Sequence, residues 1–257
     1  MLFTQPTLLL ALTTLVAAAP YTQEEKRTFG SWWPRSNSRH SWHGRAQQLS
    51  QCNMASVQLP QPNDIPITAP KPLPPPTEGF TLYHVAVGRG TQNYTCDLSN
   101  STAVPVAAGA VASLFNVTCM SADSPTLLSA IPNIALECPT PANVNAQSPI
   151  YRDLSGHHYF TDATTAYFNL DTTLASLGQG GFKKINATEA PADAVMGQEG
   201  RGYGSVPWLK LTTKDEGQCE FQEVYRVNTA GGQPPKTCQG QEGEFQVEYA
   251  AEYWFYA

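Results

Sequence analysis

The stretch Phe245-Gln246-Val247-Glu248-Tyr249-Ala250-Ala251-Glu252-Tyr253-Trp254-Phe255-Tyr256-Ala257 decides the fold. Every second residue from Phe245 gives one face made of Phe245, Val247, Tyr249, Ala251, Tyr253 and Phe255. The other face reads Gln246, Glu248, Ala250 and Glu252, then Trp254 and Tyr256. Period-two alternation of β-branched and aromatic residues predicts a half-buried strand. A segment this apolar has to be held in a sheet, because free termini fray. Upstream, Val206-Pro207-Trp208-Leu209-Lys210-Leu211 predicts a proline-led strand. Val224 to Asn228 predicts another, followed by a turn at Gly231-Gly232.

Further back the segments are short and punctuated by Gly and Pro. Phe80–Val87 and Gln92–Cys96 read as strands joined by a turn at Gly88-Arg89-Gly90. Val104–Thr118 reads as a buried strand with a bulge at Gly109, or as a short helix. Thr126–Ala135 is a weak apolar segment broken by Pro132. His157–Asp162 and Thr164–Leu170 read as short strands, and Gly178–Gly181 as a flexible turn. Lys184–Gly204 reads as a long surface loop. With no sustained 3.6-residue period, the fold class is all-β, a single sandwich or barrel-like domain over residues 77–257.

The N-terminal third is different. Leu8–Ala19 is an apolar run ending in three alanines, which predicts a signal peptide over residues 1–19. Lys26-Arg27 reads as a processing site that would make residues 20–27 a pro-peptide. Residues 28–76 form an extension. Its first part is a basic aromatic arm without helical or strand period, read as a disordered leader. Its second part, Leu59–Pro76, holds eight prolines and predicts an extended spacer.

Six cysteines, Cys52, Cys96, Cys119, Cys138, Cys219 and Cys238, include no C-x-x-C pair. In a secreted chain they predict three disulfides, with fifteen pairings open. Cys219–Cys238 ranks first, closing a loop of about twenty residues and contributing on the order of 3 kcal/mol. Cys52 has to bond back to the domain, strapping the spacer to its surface. Sequons at Asn93, Asn100, Asn116 and Asn186 predict glycans on the surface. Together these features predict a secreted protein of the extracellular space or cell wall. No later stretch predicts a membrane span. A net charge of −6, with 14% charged residues, argues against a nucleic-acid binder, which would show a basic patch or stripe.

Several motifs occur in a specific order: Gly88-Arg89-Gly90-Thr91-Gln92-Asn93-Tyr94-Thr95-Cys96, Gly156-His157-His158-Tyr159-Phe160, Val206-Pro207-Trp208-Leu209 and Arg226-Val227-Asn228-Thr229-Ala230-Gly231-Gly232. With the aromatic stretch at the end, they resemble a family of secreted fungal proteins of unknown function, some labelled malate dehydrogenase. The resemblance spans roughly residues 72–257. It implies a secreted, disulfide-bonded β-domain with no established activity and brings no catalytic residues. The dehydrogenase label fails on the residues. Gly88-Arg89-Gly90 is followed by a strand and a sequon, where a dinucleotide site needs a helix N-terminus and a third glycine. No cofactor is expected.

For chemistry, His157 and His158 with Asp162 are the candidates for a catalytic site, and His84, His157 and His158 for a metal. Adjacent residues on a strand face opposite ways, so His157 and His158 cannot readily share one ion. One buried and one solvated His is the plainer expectation. No G-x-S-x-G elbow is present. Glu137, Asp153, Asp162 and Asp171 supply carboxyls for a glycosidase only as any chain of this size would. Arg226, in an apolar strand, is expected to pair with Glu248 or Glu252. Trp208, Tyr203, Trp254 and Tyr256 could form a platform for sugar rings, although core packing explains them as well. The function expected is binding to cell-wall polysaccharide or surface glycan. An extracellular hydrolase or metal enzyme with a site near His157 and His158 is the alternative. The sequence does not determine the oligomeric state.

Overall fold

The computed structural model describes residues 52–62, 71–139, 147–214 and 219–257. The leader, the dibasic pair and the basic aromatic arm lie outside the described residues. Among the described residues eight strands run in chain order: β1 (Leu82–Thr95), β2 (Val106–Asn116), β3 (Leu154–Asp162), β4 (Thr165–Asp171), β5 (Ser176–Thr188), β6 (Trp208–Thr213), β7 (Glu223–Gly231) and β8 (Glu244–Tyr256). Each pairs antiparallel with the next, and β8 pairs back onto β1, closing a barrel. The all-β expectation holds, as a barrel. Two helices, α1 (Thr118–Asp123) and α2 (Pro125–Glu137), interrupt the meander between β2 and β3. Among the described residues no helix is long and apolar enough to cross a membrane.

The alternation of β8 sets the inside of the barrel. Tyr249, Ala251, Tyr253 and Phe255 join Ala86, Leu114, Phe168, Leu170, Phe182, Phe221 and Val224 in one buried cluster. Fully burying each large side chain contributes about 1.5–3 kcal/mol. Stacked and edge-on contacts link Phe168, Phe182, Phe221 and Phe255 at centroid distances of 5.0 to 5.6 Å.

This filling explains two glycine clusters that sequence reading places in turns. β1 runs unbroken through Gly88-Arg89-Gly90. A Cβ on Gly88 would lie 2.5 Å from the Tyr253 ring, so the glycine is there to admit that ring. Gly178–Gly181 likewise lies within β5, where Gly180 leaves space for Cys219. β5 continues to Thr188, so only the later part of Lys184–Gly204 is loop. The bulge expected at Gly109 is present, opposite the register shift at Asn93/Tyr94.

β8 is buried on both faces from Tyr249 onward, not half-buried. A second core on the outside of the barrel contains Val85, Val87, Trp208, Tyr225, Val227, Trp254 and Tyr256, covered by Leu73 and Leu128. Part of that cover is α2, which the sequence reading took for a broken apolar segment. Pro125 starts it, and Leu128, Pro132 and Leu136 recur every four residues to form its buried stripe. Its C-terminal carbonyls are received by Arg89, which donates to Ala135 at 2.8 Å, Leu136 at 3.2 Å and Cys138 at 2.9 Å. A cation on the orphan carbonyls of a helix end stabilises it. Arg89 also pairs with Glu248, which removes Glu248 as a partner for Arg226.

The rest of the cover is the proline-rich strap. Cys52 is bonded to Cys119 in α1. Farther along, Tyr225 and Lys210 donate to the carbonyls of Pro74 and Pro75 at 2.9 and 2.7 Å. Thr77 donates twice to Glu223, whose carboxylate also pairs with Lys210 at 3.0 Å. Cys238 bonds to Cys96, not to Cys219. The correction follows from the fold: the loop before β8 passes beside the end of β1, where the Cys96 amide bonds the Gly243 carbonyl. Cys219 is buried and unbonded, and Cys138 is exposed and unbonded.

Candidate functional site

The outer core leaves one built recess. β7 carries a bulge between Val227 and Ala230, and there Asn228 takes a left-handed conformation with φ 46°. A non-glycine residue held in that region marks local strain, and Asn is among the residues that bear it best. The bulge turns the Asn228 amide onto Glu252 of β8, donating to Oε1 at 2.7 Å. Trp254, two residues along the same face, donates its indole N–H to Oε2 at 2.8 Å. Glu252 is 1% exposed, and burial lifts its carboxyl to about 7 against the two hydrogen bonds that lower it.

Two adjoining clefts open over this pair, of about 360 and 470 Å³. They share Gln61 of the strap, Ser129 of α2 and Asn228. Trp208 and Asp193 line the first, and Glu252 and Trp254 the second. Neither wall contains Lys or Arg. Gln61 Oε1 and Trp208 Nε1 are buried there without a hydrogen-bond partner. Buried polar groups are nearly always paired, so an orphan acceptor and an orphan donor in one recess mark a place for a polar guest. A carboxyl whose charge changes near neutrality can accept hydrogen bonds when ionised and donate one when protonated. Sequence reading missed Glu252, Asn228 and Gln61. A faint signal existed in Asn228, a turn-forming residue inside an otherwise apolar strand.

The predicted histidine site does not assemble. His157 is exposed outside β3, while His158 faces the lumen and stacks on Phe168 at 4.4 Å. His158 Nδ1 lies 2.9 Å from the Tyr167 carbonyl, which can only accept, so Nδ1 carries the proton. Burial pushes His158 down to about 4 and also lowers His157. His84 is buried between Ser155 and Thr118, each 3.0 Å from one ring nitrogen, and is likewise pushed down to about 4. Asp162 lies in the exposed β3–β4 turn, where the Thr165 and Thr164 hydroxyls and the Thr164 amide hold its carboxyl well below the usual range. Among the described residues no three His, Cys, Asp or Glu side chains gather as metal ligands.

The aromatic platform is likewise absent. Trp208, Trp254 and Tyr256 are buried, and of that group Tyr203 alone is exposed. Asn100 and Asn186 are exposed, whereas Asn93 and Asn116 are half-buried. Thr118, the hydroxyl residue of the Asn116 sequon, is buried against His84.

No curated protein and no solved structure matches the chain. Residues 76–257, the strap's end and the entire barrel, match one family, and the chain belongs to it: protein of unknown function (DUF3455).

Proposed function

We propose that the protein is a secreted, glycosylated binding module. Its cleft beside the β7 bulge takes a neutral, hydroxyl-rich ligand, a sugar residue of a cell-wall or surface glycan. The observation that carries this reading is the chemistry of the wall. Amides, hydroxyls, carboxyls and an indole N–H converge around two unpaired buried groups, with no cation to recruit an anion. Sugar hydroxyls both donate and accept, so one ring can serve Gln61 Oε1 and Trp208 Nε1 together. The extracellular placement is supported by the apolar leader, the four sequons and the two disulfides. The hydrolase alternative loses its proposed site, because His157, His158 and Asp162 face three different environments.

The test is retention on insoluble cell-wall polysaccharide, followed by titration with the soluble fragments that compete. Ser129 is exposed on α2 at the cleft wall, so Ser129→Trp fills the recess without touching the core. Retention by the wild type and its loss in Ser129→Trp is the result expected. Equal retention of both proteins, or of neither, ends the proposal.

A further inference from the structure

Arg226 lies inside the barrel and has no acid to meet. Its cross-strand partners are Tyr253 on β8 and Leu209 on β6, both on the lumen side. Glu252, beside Tyr253, faces the opposite way and is held by Asn228 and Trp254. Among the described residues no carboxylate forms an ion pair with Arg226, which is 8% exposed. A guanidinium does not give up its proton, and an uncompensated buried cation is strongly destabilising.

The group's hydrogen bonding is also incomplete. Nη2 donates to the Pro207 carbonyl at 3.0 Å, but Nε is buried with no acceptor. The amide of Gln92, 9% exposed on β1, has no acceptor for Nε2 besides the Tyr249 phenol. The two converge on the tyrosine pair: the Gln92 amide hydrogen-bonds the Tyr249 phenol, which also feels the Arg226 charge, and Arg226 reaches the Tyr253 hydroxyl. Tyr249 and Tyr253 bond each other through their hydroxyls at 2.8 Å. Burial, offset by Arg226, raises both phenols, so they stay neutral and cannot balance the cation. His158, pushed down by burial and by Arg226, is neutral as well. This end of the lumen therefore carries one net positive charge and an Arg226 Nε–H without an acceptor.

We propose that it is an anion site for a small monocarboxylate, with the two carboxylate oxygens received by the Arg226 guanidinium and the Gln92 amide. One cation balances one negative charge, and a planar fork of donors suits a planar carboxylate. Half-buried Leu209 and Phe160 give a short alkyl tail apolar surface to lie against. The register also supplies a way in. The row Tyr253, Arg226, Leu209, Ala187 crosses four strands from the packed lumen to an exposed residue on β5. Beyond Phe182, β5 pairs with β6 but not with β4, so the rim there is open.

The test is thermal unfolding of the full chain in acetate, butyrate and hexanoate, against sodium chloride at equal ionic strength. At a hundredfold excess over its Kd, a bound carboxylate raises Tm by roughly 5–10 °C. Arg226→Met abolishes the saturable shift, and Gln92→Leu raises the carboxylate Kd roughly tenfold or more. Ser129→Trp, which blocks the glycan cleft, leaves the response intact, so the two sites succeed or fail separately. No saturable shift with any of the three carboxylates overturns the proposal, as does an equal shift in chloride. A folded Arg226→Met that responds like the wild type also overturns it. Where Arg226→Met does not fold, an unchanged Kd in Gln92→Leu does so.

Discussion

The two faces of the β7–β8 pair solve the same problem in opposite ways. Inside, an arginine sits among neutral phenols with no counter-ion among the described residues. Outside, one position along, a glutamate sits between an indole and an amide with no cation. Strict alternation separates Arg226 from Glu252, although a strand pair read only for charge would join them. The lumen is packed by rings up to the rim that opens beyond Phe182, so its charged group stands at the edge of a packed interior. The outer face is roofed by a helix and a strap that flank clefts beside the bulge, so its charged group lines a recess.

That contrast can be broken most severely from the inside. Phe168→Ala removes a ring 1% exposed and should cost about 3–5 kcal/mol in urea unfolding, since the barrel wall cannot collapse onto the hole. The next effect belongs to the outer face and reads as pH dependence. Glu252 keeps its proton to about 7 in the folded protein, against 4.5 ordinarily. The unfolded chain therefore releases the proton first, and the Glu252 contribution to stability falls by about 3 kcal/mol as pH rises from 4.5 to 7. Glu252→Gln should abolish that decline, leaving the variant more stable than wild type at pH 8. Over much of the same range His84 and His158, which charge near 4 in the fold but near 6.5 unfolded, act in the opposite direction in both proteins. The Glu252 effect is therefore read as the difference between wild type and Glu252→Gln at each pH.

A smaller effect probes the bulge itself. Asn228→Ala puts a residue that dislikes φ 46° at the strained position and removes the amide from Glu252. It should cost about 1–3 kcal/mol and move the Glu252 titration, followed by NMR, to higher pH. Smallest of all, Leu127→Ala trims an exposed side chain on the solvent side of α2 and should change stability by no more than about 0.5 kcal/mol.

The lumen was largely legible in the sequence, and the cleft was not. The alternation from Phe245 to Phe255 is a local signal, and it names the inward face of β8 correctly. Glycine is ambiguous: in sequence Gly88 and Gly180 signal turns, but in the fold they make room for Tyr253 and Cys219. α2 was missed because Pro132 interrupts its pattern and small residues dilute its stripe. Sequence reading offers Glu252 only as a partner for Arg226, because its roof comes from residues around 61 and 129, far away in the chain. Neither the bulge at Asn228 nor the Cys96–Cys238 bond follows from any local pattern, since each depends on which strands become neighbours.

The seam between β1 and β8 carries a consequence for how the molecule is made. β1 pairs from Leu82 to Thr95 with the strand synthesised last among the eight, and the ladder runs on to Thr81 and Ala257. While the chain grows, β1 can zip to β2, but its other edge stays unsatisfied until β8 emerges. An unprotected edge on a glycine-containing strand is an invitation to pair with another nascent chain. Ring closure across the longest separation in the barrel is therefore the step at which folding and misassembly compete, and it is expected to be slow.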